Sequence, residues 1–320
     1  MRILITGSSG QIGTNLALHL QRQGHYVFGI DKRPNPWTDQ IPTLLQDLST
    51  PQHSFRNGIG AAEYPTALDA VVHLAANAKV HELVEEPRRA LDNITITFNV
   101  LEFCRHNGLP ILFSSSREVY GDIHRYITEE SLADFAFTES PYSASKISGE
   151  ALIYSYAACY GLRYIVFRFS NVYGRYDIDI ERMERVIPLF IRKIRNGEPI
   201  TIYGKEKVLD FTYIDDSVDG IVRGIDLLVS RRGENQTINL AYGQGNTLAS
   251  MAGYVGEALK VKPNIKFKPA RVGEVTHYVA NIGKARSRLG YNPQTPLREG
   301  IHKAVAWALD WWEKHPVQPT

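Results

Sequence analysis

Short apolar runs along this chain alternate with longer segments whose apolar residues recur at helical spacing. Residues 3–6, 26–30, 70–74, 111–115 and 164–169 read as buried strands between helices, and that alternation predicts a parallel sheet with crossover helices. Residues 93–106 and 145–160 read as helices, each stopping near a glycine, Gly108 or Gly161, suited to a C-terminal cap. Both helices are apolar on more than one side, which fits either a homodimer packed through them or two helices that simply cover the sheet. After Gly174 the alternation breaks and Pro188, Pro199, Pro263, Pro269, Pro293 and Pro296 punctuate shorter elements. A second, smaller domain is expected there: residues 1–175 form the first domain, with 211–240 returning to it, and residues 176–320 form the second.

The first strand runs into a glycine turn with Gly7, Gly10 and Gly13 spaced GxxGxxG. Gly7 permits the tight turn, Gly10 lets backbone approach a pyrophosphate, and Gly13 lets helix and strand pack closely, with Gln11 and Ile12 opening the helix at the anion. Eighteen residues after Gly13 the next strand ends at Asp31, a carboxylate placed to accept hydrogen bonds from both adenosine ribose hydroxyls. It would repel a 2′-phosphate, which favours NAD over NADP, although Lys32 and Arg33 follow directly. The fold class expected is therefore α/β, a Rossmann-type doubly wound parallel sheet with a smaller C-terminal substrate-binding domain. Asp47 and Leu48 are placed to reach the adenine edge. Leu74, Ala75 and Ala76 end a strand with small residues beside which a cofactor can lie, and His73 next to them reads as a packed core histidine.

Composition narrows the partners. In 320 residues, 43% of them hydrophobic, 36 Lys and Arg stand against 34 Asp and Glu for a net charge of +2, so no basic surface for nucleic acid is expected. No run is long and apolar enough for a membrane span, and two cysteines, Cys104 and Cys159, cannot build a disulfide framework. A cytoplasmic protein without a membrane partner is the expectation, and no metal ligands are assigned.

Tyr142 and Lys146 stand at i and i+4, on one face of a helix. A phenol with an ordinary pKa of ~10 is a poor base at neutral pH, so a cation must favour the phenolate, and Lys146 with an oxidised nicotinamide would supply it. Together with Ser116 at the end of an earlier strand, the glycine turn and Asp31, this order of residues resembles the extended short-chain dehydrogenase/reductases that act on nucleotide-sugars, the family of UDP-galactose 4-epimerase and dTDP-glucose 4,6-dehydratase. The resemblance covers nearly the whole chain. It extends through Asp69 to Ala76, Ser114 to Gly121, Arg168 to Gly174 and Asp210 to Asp216.

The resemblance implies NAD as cofactor, held also by Asn93, Tyr142 and Lys146. It implies that Ser116, Tyr142 and Lys146 run the hydride chemistry on the sugar C4, and that a nucleotide-sugar, a UDP-sugar by preference, is held by Lys79, Ser116, Arg117, Asn171, Val186, Thr201, Tyr203 and Arg271. A guanidinium fork suits the phosphates at Arg271. The pattern departs from the family's at Leu209, which stands where an arginine is usual, at Ile96 for a glycine, and at Asn281 for an aspartate.

Ser116-Arg117-Glu118 resembles the Thr-Asp-Glu of 4,6-dehydratases, with the acid replaced by Arg117. A 4-keto group acidifies the C5 proton, and Glu118 is the base expected to take it. Without the neighbouring acid, Glu118 itself would deliver that proton to the leaving 6-hydroxyl, with hydride returned to C4. In this the chain resembles the nucleotide-sugar 5,6-dehydratases, and that resemblance implies a 5,6-dehydration of a UDP-hexosamine. A nucleotide-sugar 4-epimerase, which has no need of Glu118, and a 4,6-dehydratase are the alternatives.

Overall fold

The computed structural model describes residues 1–50, 67–121, 130, 138–177, 185–230, 235–271 and 275–315. In chain order the first half is β1 (Arg2–Thr6), α1 (Gln11–Arg22), β2 (Tyr26–Asp31), β3 (Thr43–Leu45), β4 (Ala70–His73), α2 (Val80–Glu85), α3 (Arg88–Asn107), β5 (Ile111–Ser116), a 3-10 turn at Arg117–Tyr120, α4 (Pro141–Tyr160) and β6 (Tyr164–Phe169). The second half is β7 (Asn171–Tyr173), α5 (Val186–Arg195), β8 (Ile200–Tyr203), β9 (Val208–Tyr213), α6 (Ile214–Val229), β10 (Gln236–Leu240), β11 (Gly245–Thr247), α7 (Leu248–Leu259), β12 (Ile265–Lys268), β13 (His277–Tyr278), α8 (Gly283–Leu289) and α9 (Leu297–Lys314).

Among the described residues seven strands make one parallel sheet in the order β10-β6-β5-β4-β1-β2-β3. Its central strands are largely apolar because both faces are covered. Ile3 and Ile5 of β1 enter a cluster with Leu16 and Leu20 of α1 and Ile221 and Ile225 of α6, while Leu4 joins Val100 and Leu101 of α3 and Ile153 of α4 on the other face. This is the doubly wound Rossmann-type sheet expected from the sequence. The sheet is wider than the five apolar runs suggested: β3 and β10 form its two edges.

The chain winds outward from β1 to β3 and then crosses back to β4 on the other side of β1. Connections diverge at that switch point, and the carboxyl ends of β1 and β4 leave a crevice between them. Helices α3 and α4 both end at left-handed glycines, Gly108 and Gly161. At its start α4 is fixed by Ser140, whose hydroxyl accepts from Ser143 N, and by Pro141 in the first helical position.

The remaining strands form smaller sheets: β9 lies between β11 and β13 and also pairs with β7, and β8 pairs with β12. Leu209, at the position where an arginine was noted as usual, is buried in β9 and packs in the core. No described helix is long and apolar enough to cross a membrane.

Candidate active site

A cleft of about 690 Å³ opens at the switch point. Its floor is the glycine turn. Gly7 has φ +76°, and a Cβ there would lie 2.8 Å from Ala75 N; a Cβ on Gly13 would lie 2.2 Å from Gly7 O. Only glycine lets β1, α1 and the Leu74–Ala75 backbone approach this closely. Gly10 begins α1 without any side-chain cap, which leaves the first N–H groups of the helix for an anion. The amide nitrogen Nε2 of Gln11 is buried there with no hydrogen-bond partner among the described residues. These features fit a dinucleotide pyrophosphate.

Ile12, Asp31, Lys32, Asp47, Leu48, Leu74, Ala75 and Ala76 all line the same cleft. Asp31 ends β2 and accepts from Ser9 N at 3.0 Å and Arg33 N at 3.2 Å, and burial raises its pKa. Asp47 accepts from Ser49 N and Oγ at 2.9 and 2.6 Å, which holds its pKa low. Asn93 is not among the lining residues. It is buried in α3, where Oδ1 accepts from Asn77 N at 2.7 Å and Nδ2 donates to Asn77 O at 3.0 Å, so it acts on the cleft by fixing the loop that follows β4. His73 is fully buried between Thr6 and Thr97 and stays neutral, its pKa driven down to about 3 by burial, as a packed histidine should be.

At the other end of the cleft stand Ser116, Arg117, Glu118, Tyr142, Lys146 and Asn171, with Lys79 and Val186 at its wall. Tyr142 is buried, and burial pushes its phenol up to about 12; Glu118 raises it further, while a hydrogen bond with Ser116 and the charges of Arg185 and Arg117 pull it down. Lys146 donates to Ser114 O at 2.7 Å, lies 5.8 Å from the centre of the Tyr142 ring, and is not among the main charges acting on it. Burial brings its own pKa down to about 8. Lys79 is paired with Glu82 at 2.7 Å.

Glu118 and Arg117 form an ion pair at 2.9 Å, both nearly buried, in the 3-10 turn capped by Ser116, whose hydroxyl accepts from Glu118 N. Beneath them Arg168 of β6 donates twice to Glu150 of α4, and Ser115 Oγ donates to the same carboxylate at 2.5 Å. That bidentate pair ties β5, β6 and α4 together behind the reactive face.

Among the lining residues that escape a reading of the sequence are Arg185 and Asp177. Arg185 donates to Gln11 Oε1 at 2.6 Å and faces Asp177 at 3.4 Å, and Asp177 is buried with its pKa pushed up to about 7 by desolvation. The clue was slight: Arg185 directly precedes Val186. Thr201, Tyr203 and Arg271, by contrast, do not line the cleft. They stand apart from it, Thr201 and Tyr203 on β8 and the exposed Arg271 stacked 4.1 Å over the Tyr203 ring.

A model of the NAD dependent epimerase/dehydratase family matches residues 3–241, and the chain belongs to that family. It is 32% identical over 339 residues to UDP-glucuronate 4-epimerase 1 of Arabidopsis thaliana, covering 97% of this chain and 77% of the relative. To dTDP-glucose 4,6-dehydratase of Salmonella typhimurium it is 29% identical, over 97% of this chain and 93% of the relative. The solved structure of MoeE5 in complex with UDP-glucuronic acid and NAD has a TM-score of 0.85 at 27% identity, covering 97% of this chain and all of that one. The chain is thus an NAD-dependent enzyme of the nucleotide-sugar epimerase and dehydratase family.

Proposed function

We propose that this enzyme is a nucleotide-sugar dehydratase that oxidises C4 of a UDP-hexosamine transiently and eliminates water across C5 and C6. The observation that carries the reading is Glu118: a carboxylate nearly sealed from solvent, lining the cleft one residue beyond Arg117 and two beyond Ser116. Epimerisation gives that carboxylate nothing to do. NAD, when bound, supplies the acceptor for hydride from C4 and gives the hydride back. Tyr142, oriented by Ser116, removes the proton of the 4-hydroxyl, and Lys146 holds the cofactor's ribose. With C4 oxidised, Glu118 takes the C5 proton, the C6–O bond breaks, and the same proton completes a water molecule. Within the family this arrangement resembles the tunicamycin-pathway UDP-N-acetylglucosamine 5,6-dehydratase, which would put the enzyme in antibiotic assembly.

The same reading divides the chain into a cofactor domain, residues 1–175 with 211–240, and a nucleotide-sugar domain, residues 176–320. In it Asn171, Val186, Thr201, Tyr203 and Arg271 hold the diphosphate and nucleoside, Arg271 on the phosphates, while Arg117 faces the sugar. A homodimer is proposed through α3 and α4, where Leu91, Phe98 and Tyr160 are exposed. Leu91 and Phe98 lie seven residues apart on α3, on one stripe of the helix.

A 4-epimerase is the second reading, favoured by the likeness to UDP-glucuronate 4-epimerase 1. Mass spectrometry of reactions with UDP- and dTDP-sugars separates the two. A product lighter by one water is expected; unchanged mass with altered ring couplings overturns the dehydratase in favour of the epimerase.

A further inference from the structure

The ion pair between Arg117 and Glu118 leaves one polar atom on each partner without a hydrogen bond among the described residues. Arg117 Nη2 lies 2.9 Å from Glu118 Oε1 and donates to Asn171 Oδ1 at 3.4 Å, and the guanidinium lies 5.8 Å from the centre of the Tyr278 ring. A guanidinium and a carboxylate commonly close on each other through two parallel hydrogen bonds. Here that closure is not made: Arg117 Nη1 and Glu118 Oε2 are both buried, and neither has a hydrogen-bond partner among the described residues. A buried donor and a buried acceptor left open on one ion pair are each costly in isolation. Both residues line the cleft beside Ser116 and Tyr142.

We propose that this open donor and acceptor recognise the 6-hydroxyl of the sugar, so that the site selects nucleotide-hexoses with a neutral C6 against hexuronates. A hydroxyl accepts from Nη1 and donates to Oε2, satisfying both atoms at once. A C6 carboxylate has no proton to give, and it would leave Oε2 unpaired and opposed by like charge where little water screens it. A pentose, with no C6, leaves both atoms as they are. Selection therefore runs against the substrate named for the glucuronate epimerase relative. The placement of C6 rests on the reading of Glu118 as the base at C5. In the elimination Arg117 keeps its proton and donates a hydrogen bond to O6 as the C6–O electron pair leaves on oxygen, and the proton Glu118 took from C5 completes the water.

Three ligands that differ only at C5 test this: UDP-glucose, UDP-xylose and UDP-glucuronate, titrated calorimetrically into NAD-loaded Tyr142→Phe protein so that no turnover intervenes. UDP-glucose should bind at least about tenfold more tightly than either of the others. A requirement for a 2-acetamido group would weaken all three alike and leave the ranking intact. Adding Arg117→Met should weaken UDP-glucose by a larger factor than UDP-xylose, and adding Glu118→Gln, whose amide can donate to a carboxylate, should strengthen UDP-glucuronate. UDP-glucuronate binding as tightly as UDP-glucose overturns the proposal, as does an equal loss of UDP-xylose in Arg117→Met. The ranking with Arg117 and Glu118 intact needs neither variant to fold. If the ranking holds but the product mass is unchanged, the dehydratase reading fails and C6 selection stands; if water is lost while UDP-glucuronate binds best, the reverse is true.

Discussion

Lys146 holds its ammonium on the carbonyl of Ser114, 2.7 Å away, and stands 5.8 Å from the centre of the Tyr142 ring. The two residues share a helical face, as their spacing dictates, yet the lysine serves the strand end and the phenol answers to Ser116, Arg185 and Arg117. With burial pushing Tyr142 up to about 12, the protein alone does not make the phenol a base at neutral pH. The positive charge of oxidised NAD is the addition that the site calls for, which links proton removal to the presence of the cofactor.

Tyr142→Phe keeps the ring and deletes the base. Turnover should fall by about 100-fold or more, while stability to denaturant changes by less than about 1.5 kcal/mol. Lys146→Met should weaken NAD binding as well as turnover. Because burial lowers the Lys146 pKa to about 8, its ammonium is lost as pH rises through that value, and NAD affinity should decline over the same range. Calorimetry in Lys146→Met should show no such decline. A wild-type affinity that stays flat through pH 8 would remove Lys146 from the cofactor site.

Cofactor choice should follow Asp31. Both of its oxygens are oriented by backbone amides, from Ser9 and Arg33, which fixes the carboxylate at the end of β2, the proposed place of the adenosine ribose. NAD should bind more tightly than NADP, and Asp31→Ala should narrow the difference by removing the repulsion of a 2′-phosphate. Tighter NADP binding by the wild type would show that Lys32 and Arg33 outweigh the carboxylate.

The parts of this site that could be read from sequence are those made within one turn or one strand end. The glycine spacing, Asp31 after β2, and Tyr142 with Lys146 on α4 are local patterns imposed by backbone closeness and helical periodicity. The central strands were legible because burial on both faces makes them uniformly apolar, whereas β3 has three residues at an edge and leaves little pattern. Contacts between distant segments left no such trace. Arg185 meets Gln11 across 174 positions, and Asn93 fixes the cleft through the backbone of Asn77 rather than by facing it. Thr201, Tyr203 and Arg271 are assigned by resemblance to the nucleotide-sugar, and the position of Thr201 and Tyr203 away from the cleft lining is set by the β8–β12 pairing, which periodicity does not disclose.

Stability should carry the signature of buried acids. Asp177 and Asp210 each have a folded pKa raised by burial to about 7, against an ordinary 3.8. Between those values the folded chain binds more protons than the unfolded chain, so stability falls as pH rises from about 4 to about 7 and the effect is complete above that. Asp177→Asn should lose less stability over this window than the wild type, with the difference on the order of a few kcal/mol. Denaturant unfolding across the window measures it, and parallel curves for the two proteins would place Asp177 outside the linkage.

Glu118 is the residue on which the reaction turns. Glu118→Gln keeps the size and the contact with Arg117 but removes the ability to accept the C5 proton. In a dehydratase C4 oxidation survives this change, so a 4-keto sugar and reduced NAD should accumulate, and exchange of the C5 proton with deuterated water should cease. The wild-type product then identifies the route. Elimination with hydride returned to C4 yields a 5,6-alkene with no solvent hydrogen at C6, whereas hydride delivered to C6 yields a methyl group and brings one solvent hydrogen to the sugar at C5. Proton spectra in deuterated water distinguish the alkene from the methyl. Full activity in Glu118→Gln with an unchanged sugar skeleton would mean that the carboxylate has no part in the chemistry, and that the enzyme inverts C4.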